Sequence, residues 1–185
     1  MEQNPQTSTS NKKPLLKVMT ILLISVVIGG IWLVKNRERE ALQEVSSAPD
    51  RNPDFALYVT EAIDLEKLKS YGLPIIIDFG ADSCVPCKEM APVLKELNET
   101  LQGKAIIRFV DVWKHQNLAE GYPLRAIPTQ FFFDKEGKPF TPSESIGVPM
   151  QMYSTRDTNT HVFTVHEGGM TKAQLLAALK EMGVE

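Results

Sequence analysis

The stretch Asp78-Phe79-Gly80-Ala81-Asp82-Ser83-Cys84-Val85-Pro86-Cys87-Lys88 holds both cysteines of the chain. No third cysteine exists to build a disulfide framework or a four-thiolate zinc site, so the two act as a pair. Ile75-Ile76-Ile77 precedes the stretch and extends Asp78-Phe79 into a short apolar run, the pattern of a strand buried on both faces. Gly80 to Ser83 reads as a loop. From about Cys84 to Leu101, Met90, Val93, Leu94, Leu97 and Leu101 recur at helical spacing, with Pro92 inside the run. Cys84 therefore falls at a helix N-terminus, where unpaired N–H groups and the dipole favour a thiolate nucleophile. Cys87, one turn on, is the resolving thiol. Pro86 removes an N–H and stiffens the turn between them. Asp78 ends an otherwise apolar strand. A carboxyl there is costly to bury unless paired, and burial raises its pKa so that it can take a proton from Cys87. The alternative is a strand-end aspartate in water.

Around this segment, Phe55 to Ile63 begins with a short strand, and Asp64 caps a helix over Leu65 to Tyr71, stopped by Gly72 and Pro74. Ala105 to Val112 is a second β-rich run, Leu118 to Tyr122 a short helix, and Thr129 to Phe133 a third strand followed by a turn at Asp134 to Gly137. His161 to His166 is a fourth strand, and Thr171 caps a last helix running to about Met182. The order predicts an α/β domain with a central mixed β-sheet flanked by helices on both faces. Met90 and Phe131, Phe132 and Phe133 read as core. Trp113 follows the second β-rich run without a clear assignment.

The 78–88 segment resembles the active-site segment of the thioredoxin family, and Pro92 matches a proline in that family's helix. Ile127-Pro128-Thr129 before a strand is similar to the family's cis-proline loop; Tyr122, Arg125 and Gly168-Gly169 with Thr171, Lys172 and Leu175 also match. The likeness covers roughly residues 55–182. It implies a thioredoxin-like fold, a redox-active Cys84–Cys87 disulfide with no other cofactor and no metal, and the proton-acceptor role for Asp78. It also implies a cis Pro128 facing the cysteines. Pro86, Ile127 and Pro128 would then bind substrate, with the Ile127 backbone pairing with an extended segment. A plain strand-start proline is the alternative. Two positions depart from the family: Ser83 stands in place of the usual Trp, and Phe109 in place of a Lys near the buried acid. An insertion at about 140–160, rich in Pro, Ser and Thr, reads as a surface loop at the pole away from the cysteines, or as a docking site.

The N-terminus carries a second message. Residues 1–14 form a polar tail, and residues 15–34 an apolar run uncharged from Val18 to Val34, long enough for a single membrane-spanning helix. Trp32 suits an interface, and Lys17 can snorkel. A cleaved signal peptide ending near Ser46-Ser47-Ala48, or a buried soluble helix, would be the alternatives. Residues 35–52 read as a tether and 53–185 as the domain. Lys12, Lys13 and Lys17 on one side balance Lys35, Arg37 and Arg39 on the other. The short tail staying inside puts the domain outside the cytoplasm.

Apolar residues are 43% of the chain and the net charge is −3, with no Lys/Arg cluster in the folded part, which argues against a nucleic-acid partner. His115, His161 and His166 lack metal-ligand spacing and read as surface or satisfied histidines. The expected partners are protein disulfides and a membrane-embedded electron donor. The expected activity is thiol–disulfide exchange, in the reducing direction because Val-Pro lies closer to the thioredoxin Gly-Pro than to the His-containing pairs of oxidants. A disulfide oxidase or isomerase, and a non-catalytic binding module on the same fold, remain as alternatives.

Overall fold

Three successive β-branched isoleucines favour extended backbone, and Ile75–Gly80 forms strand β1, buried at every position. In the computed structural model, which describes residues 52–184 and the helical pair Gly29 and Gly30, this strand is near the middle of a five-stranded sheet. Its other members are β2 (Ile106–Asp111), β3 (Thr129–Phe133), β4 (Gln151–Ser154) and β5 (His161–Glu167), in the order β2-β1-β3-β5-β4. β1 and β2 run parallel and are joined by a crossover helix; the other pairs are antiparallel. The expected mixed sheet is present.

The pleat sorts the core into two layers. Ile75, Ile77 and Phe79 share one face with Ile106, Val110, Phe131, Phe133 and Val165, covered by Leu65 and Leu68 of helix α1 (Leu65–Ser70) and by Leu118. Ile76, Ile107, Phe109 and Phe132 face the other way. There Met90, Leu94 and Leu97 of helix α2 (Val85–Thr100) and Leu175, Ala178 and Leu179 of helix α3 (Lys172–Glu181) close over them. Asp64 caps α1 by accepting from the Lys67 N–H at 3.0 Å. Thr171 and Gln174 form a reciprocal capping box on α3.

Three expectations need correction. The strand expected at Phe55 to Ile63 is a 3₁₀ turn, Pro53–Phe55, followed by one parallel bridge between Tyr58 and Phe109. Leu57 and Val59 reach the edge of β2 through hydrogen bonds of 2.6 and 2.9 Å with Phe109. Thr60-Glu61-Ala62 then turns out into solvent, so no ladder propagates. The short helix expected at Leu118 to Tyr122 is a 3₁₀ turn at Gln116–Ala119. Tyr122 instead packs its ring against Phe79 and Phe131.

The third correction concerns the 140–160 insertion, which is no plain surface loop. It supplies edge strand β4, and it sends Phe140 and Ile146 into the core beneath α2 and α3. Ser143 fastens it to α3 through its N–H and hydroxyl, which donate to Glu181. Phe140 stands apart from the apolar members at 146, 148 and 150, and the Pro, Ser and Thr between them give the segment the composition of a surface loop.

The anchor expected at 15–34 and the tether at 35–52 lie outside the described residues, apart from Gly29, Gly30 and Asn52. Among the described residues no helix is long and apolar enough to cross a membrane.

Candidate active site

Helix α2 starts where β1 and its loop deliver it, and Cys84 is its N-cap. Cys84 and Cys87 are joined in a disulfide with Cα atoms 5.3 Å apart. The Cys87 N–H points at the Cys84 sulfur at 3.4 Å, so a free amide of the helix's first turn faces that atom. The two sulfurs differ in access. Cys84 is half-buried beside exposed Ser83 and Val85, whereas Cys87 is 3% exposed. One sulfur can meet a partner while the other waits behind it.

Opposite the pair, the Ile127–Pro128 bond is cis. The Ile127 carbonyl oxygen lies 3.9 Å from the Cys84 sulfur. Pro128 is buried, and its carbonyl accepts from the Gly168 N–H at 2.8 Å, tying this loop to the turn after β5. Pro86 is exposed on the helix start between the cysteines.

Asp78 sits inside, fully buried, two residues before Gly80 on the same sheet face. Gly80 is required there: a Cβ at this position would stand 3.2 Å from the Cys87 sulfur and 2.8 Å from the ring of Phe109. Asp78 thus lies one pleat below the inner cysteine. Burial pushes its carboxyl up to about 7, opposed by a hydrogen bond from Gln130. That bond, Gln130 Nε2 to Asp78 Oδ1 at 2.7 Å, leaves Oδ2 without a partner.

Two residues of this site escape sequence reasoning. Gln130 hides inside the apolar run Thr129 to Phe133; the signal is a polar residue at a buried strand position, and only the register Asp78↔Gln130 gives it meaning. Asp111 ends β2 and braces the loop before Cys84. Its carboxylate accepts from the N–H groups of Asp82, Trp113 and Lys114 at 3.0–3.1 Å. Burial pushes the Asp111 carboxyl up, but these bonds and the nearby Lys114 ammonium outweigh it and hold the group below the usual range. Trp113 is 58% exposed on this braced loop.

His166 is buried with its Nδ1 2.9 Å from the Pro149 carbonyl, and His161 is partnered by Phe163 and Thr164. Among the described residues no group of three or more His, Cys, Asp or Glu side chains is placed to hold a metal ion.

A mixed sheet, a helix capped by a paired cysteine and a cis-proline loop against the outer sulfur define a dithiol/disulfide protein. The family model Thioredoxin matches residues 59–151, and the chain belongs to the thioredoxin family. Thioredoxin Y, chloroplastic, of Oryza sativa subsp. japonica is 38% identical over 74 residues, which are 40% of this chain and 44% of that protein. The thioredoxin of Rickettsia felis is 31% identical over 75 residues, 40% of this chain and 71% of the relative. For the thioredoxin of Chlorobaculum thiosulfatiphilum the figures are 35% over 91 residues, 49% and 73%. The match to the rice protein spans less than half of its length.

Proposed function

We propose that this protein is a thiol–disulfide oxidoreductase that reduces disulfides of other proteins through Cys84 and Cys87. It would be held at the cell membrane by one N-terminal span, with its 53–185 domain outside the cytoplasm. The observation that carries the chemical reading is the Cys84–Cys87 disulfide at the start of α2, outer sulfur by the Ile127 carbonyl and inner sulfur above buried Asp78. The uncharged apolar run Val18 to Val34 supports the membrane part.

In the reduced form the Cys84 thiolate attacks a sulfur of the substrate disulfide. A mixed disulfide forms and one substrate thiolate leaves. Asp78 then takes the proton of Cys87. The Cys87 thiolate attacks the Cys84 sulfur, closes the internal disulfide and releases the second substrate sulfur as a thiolate, which takes a proton from solvent. Two electrons have passed to the substrate. A dithiol donor in the membrane returns them and completes the cycle. Pro86, Ile127 and Pro128 form the surface on which an extended substrate segment would lie, held by the Ile127 backbone.

The reduction potential of the full chain, equilibrated against glutathione or dithiothreitol buffers, tests the direction of transfer. A value around −270 mV, that of thioredoxin, fits a reductase. A value near −120 mV, typical of a strong oxidant, would overturn the reducing direction in favour of disulfide insertion. Cys87→Ala should trap substrates as stable mixed disulfides on Cys84. Failure to trap any adduct would favour a binding module instead.

A further inference from the structure

One buried row crosses the sheet on the α2 side: Phe109 on β2, Asp78 on β1, Gln130 on β3 and His166 on β5, each opposite the next. On one flank the register sets Phe109 beside Asp78; on the other it sets Gln130, which bonds to it. From the helices above come Cys87 and Met90 of α2, while α3 presents Leu175, Ala178 and Leu179. His166, the remaining titratable group of the row, lies beyond Gln130 and is engaged with the Pro149 carbonyl. Among the described residues, Gln130 is the one donor bonded to the carboxyl.

The orientation of that amide is fixed from two sides. Its Nε2 donates to Asp78 Oδ1 at 2.7 Å and to the Gly168 carbonyl at 3.1 Å, and lies 3.6 Å from the Met90 sulfur. Turning the amide over would set its oxygen against two acceptors, so the donor end must face Asp78. Gly168 has φ 116°, a backbone conformation that requires glycine, and its own N–H binds the Pro128 carbonyl. The partner of the buried acid is thereby tied to the loop that lines the outer cysteine. Gln130 Oε1 and Asp78 Oδ2 are both buried and unpartnered, a costly arrangement unless one oxygen must stay open.

We propose that Gln130 is the positioning residue of the proton acceptor: its amide ties one oxygen of Asp78 and leaves the other open to the proton of Cys87, in place of a charged partner. The proposal rests on the reading of Cys84 and Cys87 as an exchanging dithiol. The choice of an amide has a physical consequence. A lysine beside a buried carboxylate drives it into the ionised form. A neutral donor favours ionisation less, so the carboxyl stays poised where it can both accept and return a proton near neutral pH.

The test follows the Asp78 carboxyl by infrared or carbon-13 titration in the oxidised full chain, where the cysteines do not titrate. Asp78→Asn assigns the signal. The wild-type midpoint is expected at about 7. Gln130→Leu should raise it by about one to two pH units, since a hydrogen bond to the charged form is lost. In the reduced protein, the pH at half-maximal disulfide reduction should rise by the same amount, which a purely structural role would not produce. If Gln130→Leu does not fold, Gln130→Met, close in length and without a donor, carries the test and should raise the midpoint in the same direction. A midpoint within a few tenths of a unit of wild type in the folded variant would overturn the proposal. The titration needs no turnover. A wild type inactive towards disulfides would therefore sink the functional reading and leave the coupling of Gln130 to Asp78 to be decided by the midpoint.

Discussion

Asp78 stands directly opposite Phe109 in the parallel register of β1 and β2. An aromatic ring thus occupies the flank from which a cation would reach the buried acid. The ring is 7% exposed, packs edge-on against Tyr58 with centroids 5.9 Å apart, and fills the space above Gly80.

Phe109→Lys should restore a cation to that flank. An opposite charge at close range lowers a carboxyl by roughly one to three units, so the Asp78 midpoint should fall from about 7 towards the ordinary aspartate range. The lost aromatic packing should cost roughly 2–4 kcal/mol of stability. Carboxyl titration and urea denaturation read the two effects separately. An unmoved midpoint would mean that the ammonium turns out to solvent and that the two side chains are not electrostatically coupled.

Asp78→Asn should make the protein more stable in a pH-dependent way. The folded carboxyl titrates at about 7 because burial penalises its charge, while the unfolded chain titrates near ~3.9. Below about pH 4 both states hold the proton and Asp78 costs nothing. Between about 4 and 7 the unfolded chain has lost the proton and the folded one has not, so stability falls as pH rises. Above 7 the loss is complete, at roughly 4 kcal/mol. Asparagine is neutral throughout. Its gain over wild type should be near zero at pH 4 and several kcal/mol at pH 8, with slower release of mixed disulfides. Equal gains at both pH values would contradict the buried, raised carboxyl.

The parts that were legible in the sequence have short-range causes. The isoleucine run, the N-cap at Asp64, the Thr171 cap and the cysteine spacing are local patterns, and they locate β1, α1, α3 and the dithiol. The resemblance to thioredoxins added the cis loop at Ile127-Pro128, which no local pattern specifies. What escaped depends on register. Gln130 means nothing until β3 lies beside β1, and Asp111 means nothing until the end of β2 meets the Asp82 loop. The edge strand β4 escaped because it is exposed along most of its length and lacks the apolar alternation of a half-buried strand. The Tyr58 segment erred the other way: its apolar run reads as a strand, but only one residue forms a bridge.

The insertion offers a sharp test of how far the core extends. If residues 140–160 were laid on a finished domain, truncating them would change stability little. Phe140 and Ile146, however, are 4% and 3% exposed and share a core layer with Leu94, Leu175 and Leu179. Phe140 also meets Phe132, ring centroids 6.5 Å apart, and its backbone carbonyl accepts from the buried Thr164 hydroxyl. Removing either side chain leaves a cavity under α3. Phe140→Ala should cost about 3–4 kcal/mol and Ile146→Ala about 2–4 kcal/mol by urea denaturation. Met152→Ser, on a side chain 60% exposed on β4, should stay within about 0.5 kcal/mol. A loss below about 1 kcal/mol for Phe140→Ala would return the insertion to the status of a surface loop. A loss of the expected size makes it part of the folding unit, since α3 would be left with an unfilled layer without it.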